Sequence, residues 1–198
     1  IKLINIFPPP GVIAATLPGF GKENWEHAKQ FANLSAFGVM ISDDASGRVR
    51  KTMGIPLVTY QMKPEDKAKL VKGLVLLAEL YFEAGAKRVY LPFHKMPYLD
   101  NVDDLKKIIP EDMPGKWIES GSQHPLGTCR MGKDPKTSVV NEFGECHRIE
   151  NLFLADGSAI PTSVAVNPQI TVMALATKVA DYLKERVGKL KGLARAAS

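Results

Sequence analysis

Two short stretches hold side chains that could carry proton chemistry. The first is Gln123-His124-Pro125-Leu126-Gly127-Thr128-Cys129-Arg130-Met131-Gly132. The proline ring disfavours the helical region for the residue before it and so holds His124 extended. Gly127 and Gly132 then permit tight turns or close approach to another group. Such a loop can present an imidazole rigidly, and a neutral imidazole can accept a proton at working pH. The second is Asn167-Pro168, with asparagine as cap and proline at the first helical position of a small-residue helix. An amide is no base, but it donates and accepts hydrogen bonds. Taken singly, the plainer reading is ahead for each: His124 as a satisfied histidine in a turn, Asn167 as a cap and nothing more.

The elements that must position these groups are readable in outline. Leu152 to Ala155 is expected to be a short buried strand ending in the Asp156-Gly157 turn. A polar loop follows, then a helix from Pro168 through Ala174, Ala176, Val179 and Ala180 toward Leu183. Upstream, Pro8-Pro9-Pro10-Gly11 predicts an extended or irregular opening. Residues 23–33 read as a short helix with Trp25, Ala28, Phe31 and Ala32 as apolar positions. Residues 36–41, 48–51 and 57–61 read as strands of one small antiparallel sheet, with turn residues at 42–47.

The strongest helix opens at Pro64, where Glu65 and Asp66 complement its positive end. Leu70, Leu74, Leu77 and Tyr81 fall on one face, and Gly85 is the stop. Residues 88–91 read as a strand, and Asn101 as the cap of a helix to Ile109. Short strands mixed with helices, without βαβ alternation, argue for an α+β fold. The division expected is 1–120 as an α+β region, 121–187 as the segment bearing the chemistry, and 188–198 as a basic tail.

Composition narrows the function classes. The 198 residues are 45% apolar and 24% charged, an ordinary globular balance. No apolar run reaches the roughly 20 residues of a membrane-spanning helix. The opening lacks an initiator Met and a signal-peptide core, so the chain reads as beginning partway through a longer sequence. Net charge is +5, much of it in Lys184, Arg186, Lys189, Lys191 and Arg195. That cluster reads as a solvated tail, and with no basic stripe interleaved with aromatics nucleic-acid binding is not expected. Two cysteines, Cys129 and Cys146, are too few for a disulfide scaffold and fit a reducing, cytoplasmic compartment. Combined with His124 and His147 they match no compact zinc spacing, so no metal site is expected.

The order of the His124 loop, the Leu154-Ala155-Asp156-Gly157-Ser158 segment and the Asn167-Pro168 helix resembles the C-terminal signature of the glucose–methanol–choline oxidoreductase family. The resemblance covers residues 122–183, about a third of the chain. Asn at the second catalytic position is more similar to the long-chain-alcohol-oxidase and sterol-oxidase branches than to glucose oxidase. The region from Ile6 to Tyr98 is compatible with that family's substrate domain.

The resemblance implies an FAD-dependent oxidoreductase that oxidises a CH–OH group of a small-molecule alcohol by proton abstraction and hydride transfer to flavin N5. It implies His124 as proton acceptor and Asn167 as the group orienting the substrate hydroxyl. It implies that Asp156 and Gly157 approach the cofactor. The helix start, Asn167, Pro168, Gln169 and Ile170, would face the flavin, with the N–H groups of Gln169 and Ile170 as donors. The C-terminal strand–loop–helix would complete an FAD domain. The family's Gly-x-Gly-x-x-Gly fingerprint is missing; Gly19-Phe20-Gly21 only imitates it. The partner implied is therefore an N-terminal FAD-binding domain of the same protein, without which this chain is incomplete and inactive. Two alternatives are a hydroxynitrile-lyase-like member, which carries flavin without redox use, and a binding module without catalysis.

Overall fold

A computed structural model describes residues 1–44 and 46–196. In chain order the elements are β1 (Lys2–Ile6), α1 (Pro10–Thr16), α2 (Lys22–Ala28), β2 (Ala36–Met40), β3 (Ser46–Thr52) and β4 (Ile55–Gln61). They continue with α3 (Pro64–Glu83), β5 (Val89–Tyr90), β6 (Tyr98–Leu99) and α4 (Gln169–Ala196), with short 3-10 turns between. Helices mixed with small antiparallel sheets make the fold α+β, as the sequence implies. The chain divides into two compact units, Ile1–Asp43 with Met62–Gly121, and Asp44–Gln61 with Ser122–Ser198.

The first unit is organised by α3. Its end is a Schellman motif: Gly85 sits at φ 90°, its N–H reaches the Phe82 carbonyl at 2.9 Å, and the Ala86 N–H reaches Tyr81 at 2.9 Å. Val71, Leu77 and Ala78 are the buried apolar side chains of the helix, while Leu70, Leu74 and Tyr81 are half-buried beside them. Against this stripe pack Val89, Leu91, Phe93, Leu99, Leu105, Ile108, Met113 and Ile118. Asn101 caps as expected, its side chain accepting the Asp103 N–H at 2.9 Å. The element it opens is a 3-10 helix, Val102–Lys107, rather than an α-helix to Ile109.

Several local expectations are corrected. The single sheet is three two-stranded sheets among the described residues: β1 with β2, β3 with β4, and β5 with β6, all antiparallel. Residues 36–41 do not join the hairpin, because the apolar run at the N-terminus supplies their partner, Lys2 opposite Met40 and Ile6 opposite Ala36. The proline run does not keep the opening irregular: Pro10 starts α1, its fixed φ suiting a first helical turn. The helix expected at 23–33 stops at Ala28, where three-residue bonds tighten the chain through Phe31–Asn33.

The second unit holds the β3–β4 hairpin and α4 with the irregular chain before it. Its core is Val140, Ala159, Ile160, Leu175 and Val179. Leu126, Met131, Phe153, Leu154, Val164 and Val172 pack around that core. The strand expected at Leu152–Ala155 is absent; Phe153 makes one isolated bridge to Glu145, and Leu152 is exposed. The backbone bonds there alternate, Cys146 N–H to Leu152 at 2.8 Å and Leu154 N–H to Gly144 at 2.9 Å. The turn at Gly144 cuts the pairing too short for a strand. The α4 backbone continues past Leu183 through the basic region to Ala196, since Lys, Leu, Ala and Arg all favour helix. Ala197 and Ser198 at the end of the basic tail lie outside the described residues.

Candidate active site

His124 sits half-buried on its loop, and its backbone N–H donates to Ser122 Oγ at 3.3 Å. The chain after it lies along the Asp156–Ile160 segment. Gly127, Cys129 and Met131 donate their N–H groups to the carbonyls of Gly157, Ser158 and Ala159 at 3.3, 2.9 and 2.8 Å. Alternate residues therefore lock the loop to one register. Gly127 takes φ 79°, a backbone region that favours glycine.

Asp156 caps the 3-10 turn Gly157–Ala159, Oδ1 accepting the Ser158 N–H at 2.7 Å. Hydrogen bonds from the Ser158 side chain and then from its backbone hold the Asp156 carboxyl below the ordinary carboxylate range. This side chain is exposed and ionised at neutral pH, an acceptor for hydroxyl or N–H donors.

The first bond of α4 runs from the Val172 N–H to the Pro168 carbonyl at 2.8 Å. The helix begins at Gln169, one residue later than expected, with Pro168 buried just before it. Asn167 does not cap: it is exposed, and its side chain hydrogen-bonds to none of the described residues. The positive φ of 58° at Ala165 turns the chain two residues earlier. Gln169 and Ile170 are exposed in the first turn, where backbone N–H groups have no helical acceptor. Ile170 is 74% exposed and Met173 57%, which leaves an apolar patch uncovered at this helix end.

Gly157 is where the three stretches meet. An ideal Cβ there would lie 3.1 Å from Leu126 Cδ2, 3.3 Å from the Pro125 oxygen and 3.8 Å from Val172 Cγ2. The His124 loop, the Asp156–Ser158 turn and the first turns of α4 thus form one packed surface.

Other groups that hold this surface escaped the sequence reading. Arg186 on α4 donates to Glu145 Oε1 at 2.7 Å and to Asn151 Oδ1 at 3.0 Å. The Glu145 carboxyl is lowered, first by Arg186 and then by the Asn151 N–H it also accepts. Phe143 stacks on Tyr182 of α4 at 4.4 Å. His147 is tied through Nε2 to the Gly132 carbonyl at 3.0 Å and Ser138 Oγ at 3.1 Å, a brace for the chain after the His124 loop. These contacts join residues well separated in the chain, and no spacing in the sequence pointed to them.

Both cysteines are free thiols, and no cluster among the described residues could hold a metal. No helix among them is long and apolar enough to cross a membrane. A cleft of about 620 Å³ in the first unit, between residues 14–24 and 91–97, includes none of the expected site residues.

A family model described as GMC oxidoreductase matches residues 44–176. An uncharacterized GMC-type oxidoreductase of Mycobacterium tuberculosis is 31% identical over 90% of this chain and 28% of its own length. A long-chain-alcohol oxidase of Arabidopsis thaliana is 28% identical over 92% of this chain and 25% of its own length. A 2-methyl-1,2-propanediol dehydrogenase of Mycolicibacterium austroafricanum is 46% identical, over 32% of this chain and 11% of its own length. The chain thus spans about a quarter of the length of the first two relatives. Pyridoxine 4-oxidase from Mesorbium loti shares the fold, with a TM-score of 0.50 and 24% identity over 73% of this chain and 28% of that one.

Proposed function

The chain belongs to the GMC oxidoreductase family, and from that premise we propose that it forms the substrate-side, flavin-facing part of an FAD-dependent enzyme oxidising a primary or secondary alcohol. The carrying observation is the convergence at Gly157 of the His124 loop, the Asp156–Ser158 turn and the start of α4. A site shared by His124 and Asn167 requires such a convergence of the loop that follows the one and the helix that follows the other.

In this reading His124 takes the substrate hydroxyl proton on a ring nitrogen. Asn167, whose amide is unspent on capping, donates its Nδ2–H to the oxygen of that hydroxyl and so orients it. FAD, when bound, supplies the acceptor for the hydride leaving the carbinol carbon. The residues present suit such a group. The free N–H groups at the start of α4 favour negative charge beside them, and those of Gln169 and Ile170 are the donors assigned. The ionised Asp156 accepts hydroxyl hydrogens, and the apolar patch of Ile170 and Met173 offers cover to a ring. Pro168 contributes no N–H and fixes the direction of the turn.

The remainder of the cofactor site, in this account, belongs to an FAD-binding domain in the same polypeptide. The 198-residue chain alone then binds FAD weakly and does not turn over. The free thiols fit a cytoplasmic setting. The test is anaerobic addition of alcohols, short, fatty and sterol, to the complete protein. Bleaching of the flavin band by at least one of them is expected; no bleaching across the series would sink the redox reading. Stoichiometric flavin on the purified 198-residue chain would sink the claim that most contacts lie elsewhere.

A further inference from the structure

Gly157 has no local reason to be glycine. It opens a 3-10 turn, and its backbone lies outside the left-handed region that Gly127 and Gly144 occupy. At such a position alanine is the better residue, because glycine gives up more conformational freedom on folding. What requires glycine is the surroundings. Both of the tightest contacts an added Cβ would make, 3.1 Å to Leu126 Cδ2 and 3.3 Å to the Pro125 oxygen, are with the two residues that follow His124. The Gly157 carbonyl also accepts the Gly127 N–H at 3.3 Å, the longest of the three bonds that register the loop.

We propose that Gly157 is a positioning residue for His124: the space left by its missing side chain is where Pro125 and Leu126 lie. This rests on His124 being the proton acceptor. It gives glycine a reason separate from the approach of Gly157 to a cofactor that the resemblance implies. A methyl group at 157 forces its neighbours to give by a few tenths of an ångström. The Leu126 side chain, the nearer obstacle, is packed against the core of its unit, and the Pro125 oxygen is backbone, so neither yields without taking the loop with it. His124 is the next residue along. Reacting groups tolerate little of this, since a misplacement of about 1 Å can cost on the order of a hundredfold in rate.

The experiment is Gly157→Ala in the complete flavoprotein, with and without Leu126→Ala. Expected for the single variant are a wild-type flavin content, flavin reduction about tenfold slower at saturating alcohol, and little change in the half-saturating concentration. The amides of Gly127 and Cys129 should exchange hydrogen faster, and Leu126→Ala should restore much of both rate and protection. Loss of flavin with wild-type exchange at Gly127 would assign the space to the cofactor and overturn the proposal. Unchanged rate and exchange would overturn it too. If Gly157→Ala alone does not fold, recovery of folded protein in the double variant supports the proposal, and a double variant that is also unfolded contradicts it. Exchange at Gly127 does not depend on catalysis. Faster exchange in Gly157→Ala together with a wild-type rate in His124→Ala would therefore remove the proton-acceptor reading while leaving the packing role of Gly157 in place.

Discussion

The two units are built on different terms. The first packs eight buried apolar residues against Val71 and Ala78 of α3, a 20-residue helix with a well-formed end. The second has five buried apolar residues and little regular structure besides α4 and a hairpin, yet every expected site residue lies in it. It compensates with polar ties: the three-rung register of the His124 loop, the Arg186–Glu145–Asn151 clasp and the His147 brace. Loops that must aim a side chain cannot all be buried in regular structure, and here backbone hydrogen bonds rather than core volume fix their aim.

That contrast can be broken or sharpened by mutation. The largest loss of stability should follow Phe93→Ala, since this ring is 2% exposed and its removal leaves a cavity. About 3–5 kcal/mol is expected from urea unfolding, without a matching loss of rate per folded molecule. Leu175→Ala, in the smaller core, should cost about 2–5 kcal/mol and also slow flavin reduction, because Leu175 seats α4 against the loops. Equal effects of the two on rate would dissolve the distinction between the units.

Asn167→Ala should slow flavin reduction about tenfold or less, the worth of one hydrogen bond, and leave the unfolding midpoint unchanged because Asn167 caps nothing. A drop in stability would return Asn167 to the role of a cap. The smallest effect concerns acid. The folded Glu145 carboxyl lies below its ordinary value, so its contribution is present above the unfolded pKa, about 4.3, and is lost as pH falls through the folded value. Glu145→Gln should flatten the acid limb of midpoint against pH below about 4.5; an unchanged limb would mean the clasp is incidental.

Legibility in the sequence follows the range of the interactions. The long helix, its glycine stop and the Asn101 cap rest on neighbours in sequence, and their signals were plain. The pairing of β1 with β2 was not, because strand alternation shows a face and never a partner. Leu152–Ala155 looks like a buried strand by composition, but the turn at Gly144 decides otherwise. Within the site, residue types and order were enough to single out His124, Asp156 and Asn167 as candidates. What they could not reveal is why residue 157 must be glycine, since that reason lies about thirty residues away in Leu126. Nor could they show that Asn167 stands clear of the helix it precedes.

The central claim is that His124 receives the substrate proton while hydride leaves for flavin. Its most direct test is the rate of anaerobic flavin bleaching by alcohol in the complete protein, wild type against His124→Ala, at equal flavin content. The account predicts a loss on the order of 10²- to 10⁴-fold, the range of a removed general base. A variant that bleaches at the wild-type rate would contradict it.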